Sequence, residues 1–183
     1  MVLKRSRSCG AADVIITHKS DRDNLRCTIP GQVMETVLTP DESHWFHQEY
    51  VETLQTLGEF RVFIRSPTTY AEQGEIICVA RTRVEWETKA FAARQVDVLN
   101  DFKWCCDGGQ GEANETVRSK FQELCAFALH TYSSLRQRHD GHECYESLEI
   151  GVRLDIGVSE LSPKGRFFVN EITRWHAADF FSG

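Results

Sequence analysis

The feature that most constrains the fold is a pair of strand-like runs near the C-terminus, residues 151–157 and 165–173, joined by a turn-rich stretch around Pro163. This arrangement predicts an antiparallel hairpin with a long loop. In the first run, apolar residues alternate with charged or small ones, which predicts one apolar face and one charged face. The apolar set is Val152, Leu154, Ile156 and Val158, and the alternating set is Arg153, Asp155 and Gly157.

Two carboxylates of this hairpin are expected to share a face. Asp155 and Glu171 lie at equal distances from Pro163, so an unbulged hairpin places them opposite each other. Neighbouring carboxylates repel unless a cation lies between them, and hard oxygen ligands suit Mg²⁺. Arg153 is expected on the same face, where a guanidinium could hold a phosphate. The hairpin therefore indicates a site for a metal and a nucleotide.

The rest of the chain predicts an α+β fold of antiparallel sheets and one long amphipathic helix. Strands are expected at residues 2–5, 13–17, 44–51, 57–65 and 75–84, the last two pairing as a hairpin. Apolar residues recur at helical spacing from Glu115 to Arg138, which predicts the helix. Residues 18–42 are expected to be a loop with at most a short helix, residues 99–115 a loop or lid, and residues 175–181 a terminal helical turn.

Composition limits the classes of function. The chain has 183 residues and a net charge of −6, which argues against non-specific binding to nucleic acid or to an anionic membrane. No apolar run approaches the roughly 18 residues that span a bilayer, and no secretory signal is evident. Seven cysteines without a disulfide-like spacing favour the reducing cytoplasm, or the nucleus.

Several motifs, taken in chain order, resemble the C-terminal part of the ATP-grasp fold, as in D-alanine–D-alanine ligase, glutathione synthetase and related carboxylate–amine ligases. The motifs are Lys4 on the first strand, residues 48–51, residues 58–62, Arg153-Leu-Asp155 and Asn170-Glu-Ile-Thr173. The resemblance extends from Lys4 to Thr173. It implies a partial small ATP-binding lobe and hinge in residues 1–50 and a large lobe with a metal hairpin in residues 51–183.

The resemblance also implies roles for individual residues. Lys4 would contact ATP phosphates, Glu59 would hold the ribose, and Arg61 and Arg153 would stabilise the transferred phosphate. The adenine would meet the hinge formed by Gln48, Glu49, Tyr50 and Val51. Asp155 and Glu171 would be Mg²⁺ ligands, with Thr173 beside them. The implied reaction is ATP-dependent activation of an unidentified carboxylate as an acyl phosphate, followed by attack of an amine or a similar nucleophile.

The chain departs from the family pattern in two ways. Thr173 occupies the position where the family carries a metal-binding asparagine, and Asn170, at an odd offset from Glu171, is expected on the opposite face. The usual N-terminal domain is also lacking, so the chain is expected to be a fragment, a reduced relative, or a protein that takes those parts from a second copy in a homodimer or from a partner chain. The alternative is a degenerate, non-catalytic ATP-grasp module that binds a nucleotide or a protein.

Simpler interpretations exist for single residues. Charged residues on strands, such as Glu59 and Arg61, commonly form an exposed face. His139, His142 and Cys144 have a spacing that could hold a metal, but their polar surroundings favour a plain loop.

Overall fold

The computed structural model describes residues 2–5, 14–16, 45–67, 74–85, 90–106, 113–137 and 148–175. The chain divides into two compact units, Met1–Val51 and Glu52–Gly183. Side chains are described from residue 49 onward, apart from residues 83–85, 90–92 and 113 within the elements.

The first unit contains a three-stranded antiparallel sheet of β1 (Val2–Arg5), β2 (Val14–Ile16) and β3 (Trp45–Gln48), in the order β2-β1-β3. The predicted strand at residues 2–5 is confirmed, and the strand predicted at residues 13–17 is confirmed for its described part, residues 14–16. The strand predicted for residues 44–51 ends at Gln48, and residues 49–51 have no regular structure. The predicted loop at residues 18–42 lies outside the described residues.

The second unit is built on a five-stranded antiparallel sheet in the order β6-β5-β4-β7-β8. Its strands are β4 (Glu59–Arg65), β5 (Glu75–Glu85), β6 (Ala90–Gln95), β7 (Gly151–Val158) and β8 (Phe167–Arg174). The predicted pairings of β4 with β5 and of β7 with β8 are confirmed. A short helix, α1 (Thr53–Thr56), precedes β4.

A long helix, α3 (Ala113–Gln137), confirms the predicted amphipathic helix. Its buried residues Val117, Leu124, Ala128 and Tyr132 form one core with alternate residues of the sheet. The sheet residues in this core include Phe60, Val62, Ile64, Val152, Leu154, Ile156 and Val158. An α+β fold with an antiparallel sheet and a long helix is therefore present. None of the helices within the described ranges is long and apolar enough to cross a membrane.

The prediction of a loop or lid at residues 99–115 is wrong for the described part of that stretch. Helix α2 (Val98–Asp101) and a 3₁₀ turn (Lys103–Cys105) occupy it, and α3 begins at Ala113. Phe102 and Cys105 are fully buried, and the Phe102 ring stacks on Phe60 with centroids 4.8 Å apart. Residues 107–112, with Gly108 and Gly109, lie outside the described residues.

Paired charges explain why this polar stretch packs into the core. The Asp101 carboxylate is almost fully buried and accepts hydrogen bonds from Arg81 (2.6 Å), from Arg94 and from the backbone N–H of Asp97 (2.9 Å). Arg81 also donates to the backbone oxygen of Leu57, at 2.9 and 2.7 Å. A buried carboxylate is tolerated when its oxygens are paired in this way. The cluster fixes the turn that leads from α1 into β4.

The β7–β8 hairpin is held against α3 and α1. The buried Lys120 of α3 donates to the backbone oxygen of Gly165 in the hairpin loop, at 2.7 Å. The hydroxyl of Thr53 donates to the backbone oxygen of Val158. Every residue of β7 is buried, including those that the sequence placed on a charged face. Of the predicted terminal turn, only Trp175 lies within the described residues.

Candidate functional site

Three adjacent strands place predicted site residues in rows on one face of the sheet. Arg61 of β4 lies opposite Asp155 of β7, and Asp155 lies opposite Glu171 of β8. The predicted cross-strand pairing of the two carboxylates is thus confirmed, but it arises from a one-residue shift in the pairing between Asp155 and Ile156 rather than from the unbulged hairpin that the prediction assumed. The next row contains Arg153 and Thr173. Because side chains alternate along a strand, these residues face away from the α3 core. We call this side of the sheet the polar face.

The centre of the polar face is a buried ion pair on β7. Arg153 donates from Nε to Oδ1 of Asp155 at 2.8 Å and from Nη2 to Oδ2 at 3.0 Å. Arg61 adds a second cation, with its Nε 3.9 Å from Oδ2 of Asp155. Asp155 is 2% exposed and Arg153 is 7% exposed. Such bidentate contacts between an arginine and a carboxylate are stronger and more directional than a single hydrogen bond.

Thr173 connects this ion pair to Glu171. Its hydroxyl oxygen accepts from Nη2 of Arg153 at 2.9 Å, and its hydrogen is donated to Oε1 of Glu171 at 3.2 Å. Glu171 is exposed, whereas Thr173 is half-buried. A continuous network therefore runs from the buried carboxylate of Asp155 to the exposed carboxylate of Glu171.

Burial dominates the electrostatics of Asp155. Loss of contact with water raises the pKa of its carboxyl above the ordinary value, and the nearby Glu171 adds to this. The charges and hydrogen bonds of Arg153, and the charge of Arg61, act in the opposite direction. The two arginines therefore favour the ionised form of the carboxyl, whereas burial disfavours it.

The donor types fit Mg²⁺, but their present partners limit access to Asp155. Two carboxylates and a hydroxyl on neighbouring strands are oxygen ligands of the kind that this ion prefers. However, both oxygens of Asp155 accept hydrogen bonds from Arg153, so its coordination of a cation requires the guanidinium to move. Among the described residues, no group of three or more His, Cys, Asp or Glu side chains is placed to hold a metal.

A bulge in β8 changes the position of Asn170. The pairing shifts between Asp155 and Ile156, because Asp155 lies opposite Glu171 whereas Ile156 lies opposite Val169. Asn170 is the extra residue, and its amide donates a hydrogen bond to the carboxylate of Glu59. Its predicted placement on the opposite face from Glu171 is wrong, because that argument assumed regular alternation and a bulge interrupts it.

The remaining predicted site residues lie in the first unit. Lys4 lies on β1 opposite Val14 and Phe46, and Gln48 is the last residue of β3. Glu49 and Tyr50 are exposed, and Val51 is partly exposed. Glu59, by contrast, belongs to the second unit with the polar face.

Two residues of the polar face had no assigned role in the sequence interpretation. Phe63 is fully buried opposite Arg153 on one side and Cys78 on the other. Burial raises the pKa of the Cys78 thiol. The alternation of β4 placed Phe63 on the same face as Arg61, but nothing in the sequence showed that this face is covered.

Comparisons of the chain with protein-family models, with curated proteins and with solved structures found no match.

Proposed function

We propose that the chain is an ATP-grasp-like domain that binds ATP with Mg²⁺ and serves an ATP-dependent carboxylate–amine, or similar, ligase. The observation that carries this proposal is the set of two arginines, two carboxylates and a hydroxyl on one face of three adjacent strands. Arginines suit phosphate oxygens, and carboxylates suit the cation that accompanies a nucleotide. The order of these residues along the chain agrees with the resemblance that the sequence motifs show.

In this proposal the residues divide into three groups. Arg61 and Arg153 stabilise negative charge on the transferred phosphate. The cation is held by Asp155 and Glu171, with the hydroxyl of Thr173 beside them. The resemblance assigns Lys4 to phosphate, Glu59 to the ribose, and Gln48, Glu49, Tyr50 and Val51 to the adenine. The bound Mg²⁺ would supply neutralisation of phosphate charge during transfer.

The proposed reaction needs no side-chain nucleophile. An oxygen of the substrate carboxylate attacks the γ-phosphorus, the bond to the β,γ-bridging oxygen breaks, and ADP leaves. The amine then attacks the acyl carbon, and inorganic phosphate leaves as the C–N bond forms. The contribution of the protein is positioning and charge stabilisation, which dominate phosphoryl transfer.

The second candidate is a degenerate module that binds a nucleotide or a protein without catalysis. Two observations favour it. Thr173 replaces the asparagine of the family, and its hydroxyl is already bonded to Arg153 and Glu171. Both oxygens of Asp155 are likewise bonded to Arg153.

Compartment and partners belong to the same proposal. Four cysteines of the described residues are free thiols, namely Cys78, Cys105, Cys106 and Cys125, which supports a reducing compartment such as the cytoplasm or the nucleus. An unidentified carboxylate is the proposed second substrate.

Nucleotide binding is tested by the melting temperature in MgATP and MgADP. A one-site ligand at 100 times its Kd stabilises the folded state by about 2.7 kcal/mol, so a clear upward shift is expected. Glu171→Gln should reduce this shift, whereas Glu75→Gln, which removes the same charge from an exposed pair with Arg65, should not. An unmoved melting temperature in the wild-type chain would overturn the proposal.

Catalysis is tested separately by ADP release with a panel of carboxylates and amines. Release that depends on a particular carboxylate indicates the ligase. Nucleotide binding without such release indicates the non-catalytic module.

A further inference from the structure

The Arg153–Asp155 pair places a positive charge where the proposed function requires the cation. Each oxygen of Asp155 accepts one N–H from the same guanidinium, at 2.8 and 3.0 Å. A third N–H contact, to Thr173 at 2.9 Å, fixes the orientation of that guanidinium. Because Asp155 is only 2% exposed, it has little access to water in place of these donors. The guanidinium therefore neutralises the carboxylate in the cation-free protein.

A divalent cation cannot simply be added to this arrangement. A cation bound by Asp155 would lie beside the guanidinium, and their like charges would repel strongly in a site with little water. Moving Arg153 away leaves a buried guanidinium without an anion, which is also costly. Arg61, with its Nε 3.9 Å from Oδ2, adds to the repulsion. Exchange is favourable only if Arg153 gains a new anionic partner at the same time.

A metal nucleotide supplies both requirements. Asp155 would hold the cation in place of the guanidinium, and Arg153 would donate the N–H groups it releases to phosphate oxygens. We propose that the Arg153 guanidinium occupies the cation position at Asp155 in the nucleotide-free protein. The site then binds a divalent cation only together with a polyphosphate. This inference rests on the proposed function and adds that the cation binds together with the polyphosphate. Arg153 is thus a positioning residue before phosphate arrives.

The experiment is a calorimetric titration of nucleotide-free protein with Mn²⁺, which takes the same oxygen ligands as Mg²⁺. The wild-type chain is compared with Arg153→Met, which keeps a long side chain but removes the charge and the donors. Arg65→Met is the matched control, because it also replaces a strand arginine by methionine. Arg65 lies on β4 and forms an exposed ion pair with Glu75. Circular dichroism confirms folding of each variant before titration.

Arg153→Met should bind Mn²⁺ about 10- to 100-fold more tightly than wild type, the range expected from freeing a charge-assisted hydrogen bond. Arg65→Met should bind as wild type does. In the presence of ADP the order should reverse, with the wild-type chain binding Mn·ADP more tightly than Arg153→Met. A folded Arg153→Met chain with no gain in Mn²⁺ affinity would overturn the exchange, as would tight Mn²⁺ binding by wild type alone.

If Arg153→Met does not fold, Arg153→Lys replaces it. Lysine keeps the charge, but its single ammonium group cannot reproduce the bidentate contact with Asp155. A smaller gain in Mn²⁺ affinity is therefore expected. No gain in that variant overturns the exchange. A gain in Mn²⁺ affinity without any ADP binding would support the exchange and overturn the nucleotide proposal. ADP binding without the gain would overturn the exchange alone.

Discussion

Asn170 of β8 donates a hydrogen bond to the carboxylate of Glu59 at the start of β4, a residue 111 positions earlier in the chain. The contact exists because the bulge in β8 adds one residue opposite β7 and turns Asn170 toward the polar face. It joins two strands that are separated by β7 in the sheet. It also fixes the carboxylate that the proposed function assigns to the ribose.

Asn170→Ala is expected to destabilise the fold by about 1 kcal/mol, because Glu59 loses a donor in a partly buried position. Urea denaturation of Asn170→Ala, Glu59→Ala and the double variant measures the coupling between the two residues. A coupling energy of about 1 kcal/mol is expected. Strictly additive effects would show that the hydrogen bond does not contribute to stability.

The sequence predicts much of the sheet because alternation is strong where strands are half-buried. In β4, Phe60, Val62 and Ile64 alternate with Glu59, Arg61, Phe63 and Arg65, and the first three lie in the core. Strand β6 (Ala90–Gln95) was not predicted, since three of its six residues are alanines and its pattern is weak. Helix α2 was missed because the burial of Asp101 depends on Arg81, which lies 20 residues away.

For the polar face, the sequence predicts which residues lie opposite each other better than it predicts which side chains bind each other. Even spacing around Pro163 placed Asp155 opposite Glu171, and the register agrees, but only because the bulge shifts the pairing by one residue; without it Asp155 would lie opposite Asn170. The same pattern could not show that Arg153 binds Asp155, since a guanidinium on that face could equally hold a phosphate. Nor could it show the bulge at Asn170. The ligand roles of these residues remain predictions.

Asp101→Asn is expected to lower the free energy of unfolding by about 3 kcal/mol, since it leaves Arg81 without its buried anion. Arg94→Gln should lower the free energy of unfolding by about 1 kcal/mol or less. The Arg94 side chain is 55% exposed, so water screens its interaction with Asp101. Urea midpoints of the two variants give the comparison. Equal effects would mean that the cluster does not act as a buried ion pair centred on Asp101.

Cys105 is expected to be the least reactive of the four described thiols. It is fully buried, and burial together with the adjacent Cys106 raises the pKa of its thiol to about 11. At pH 8 only about one molecule in a thousand then carries the thiolate that reacts with iodoacetamide. Mass spectrometry of timed samples should show Cys106 labelled before Cys105, with Cys105 labelling rising as the pH is raised.

Chemical unfolding is the control for that experiment. In concentrated guanidinium, Cys105 and Cys106 should be labelled at similar rates, since neither burial nor packing then distinguishes them. Rapid labelling of Cys105 in the native protein would show that Phe102 and its neighbours do not cover the thiol as the structure indicates.

Thr173 provides the sharpest comparison within the proposed metal site. Its hydroxyl has one hydrogen, which is donated to Glu171, and its oxygen accepts from Arg153. In Thr173→Asn, the amide oxygen can accept from Arg153 or bind a cation, and the amide N–H groups can donate to Glu171. An amide oxygen is a better hard ligand than a hydroxyl, so this variant should fold normally and bind MgADP more tightly than wild type.

Thr173→Val is the matched control, because it keeps the β-branched shape and removes the oxygen. It should bind MgADP more weakly than wild type, since the cation loses a ligand and Arg153 loses an acceptor. Calorimetric titration of the three proteins with MgADP gives the expected order of affinity, asparagine above threonine above valine. If the asparagine variant binds no more tightly than wild type, Thr173 does not face the cation, and the site must use Asp155 and Glu171 alone.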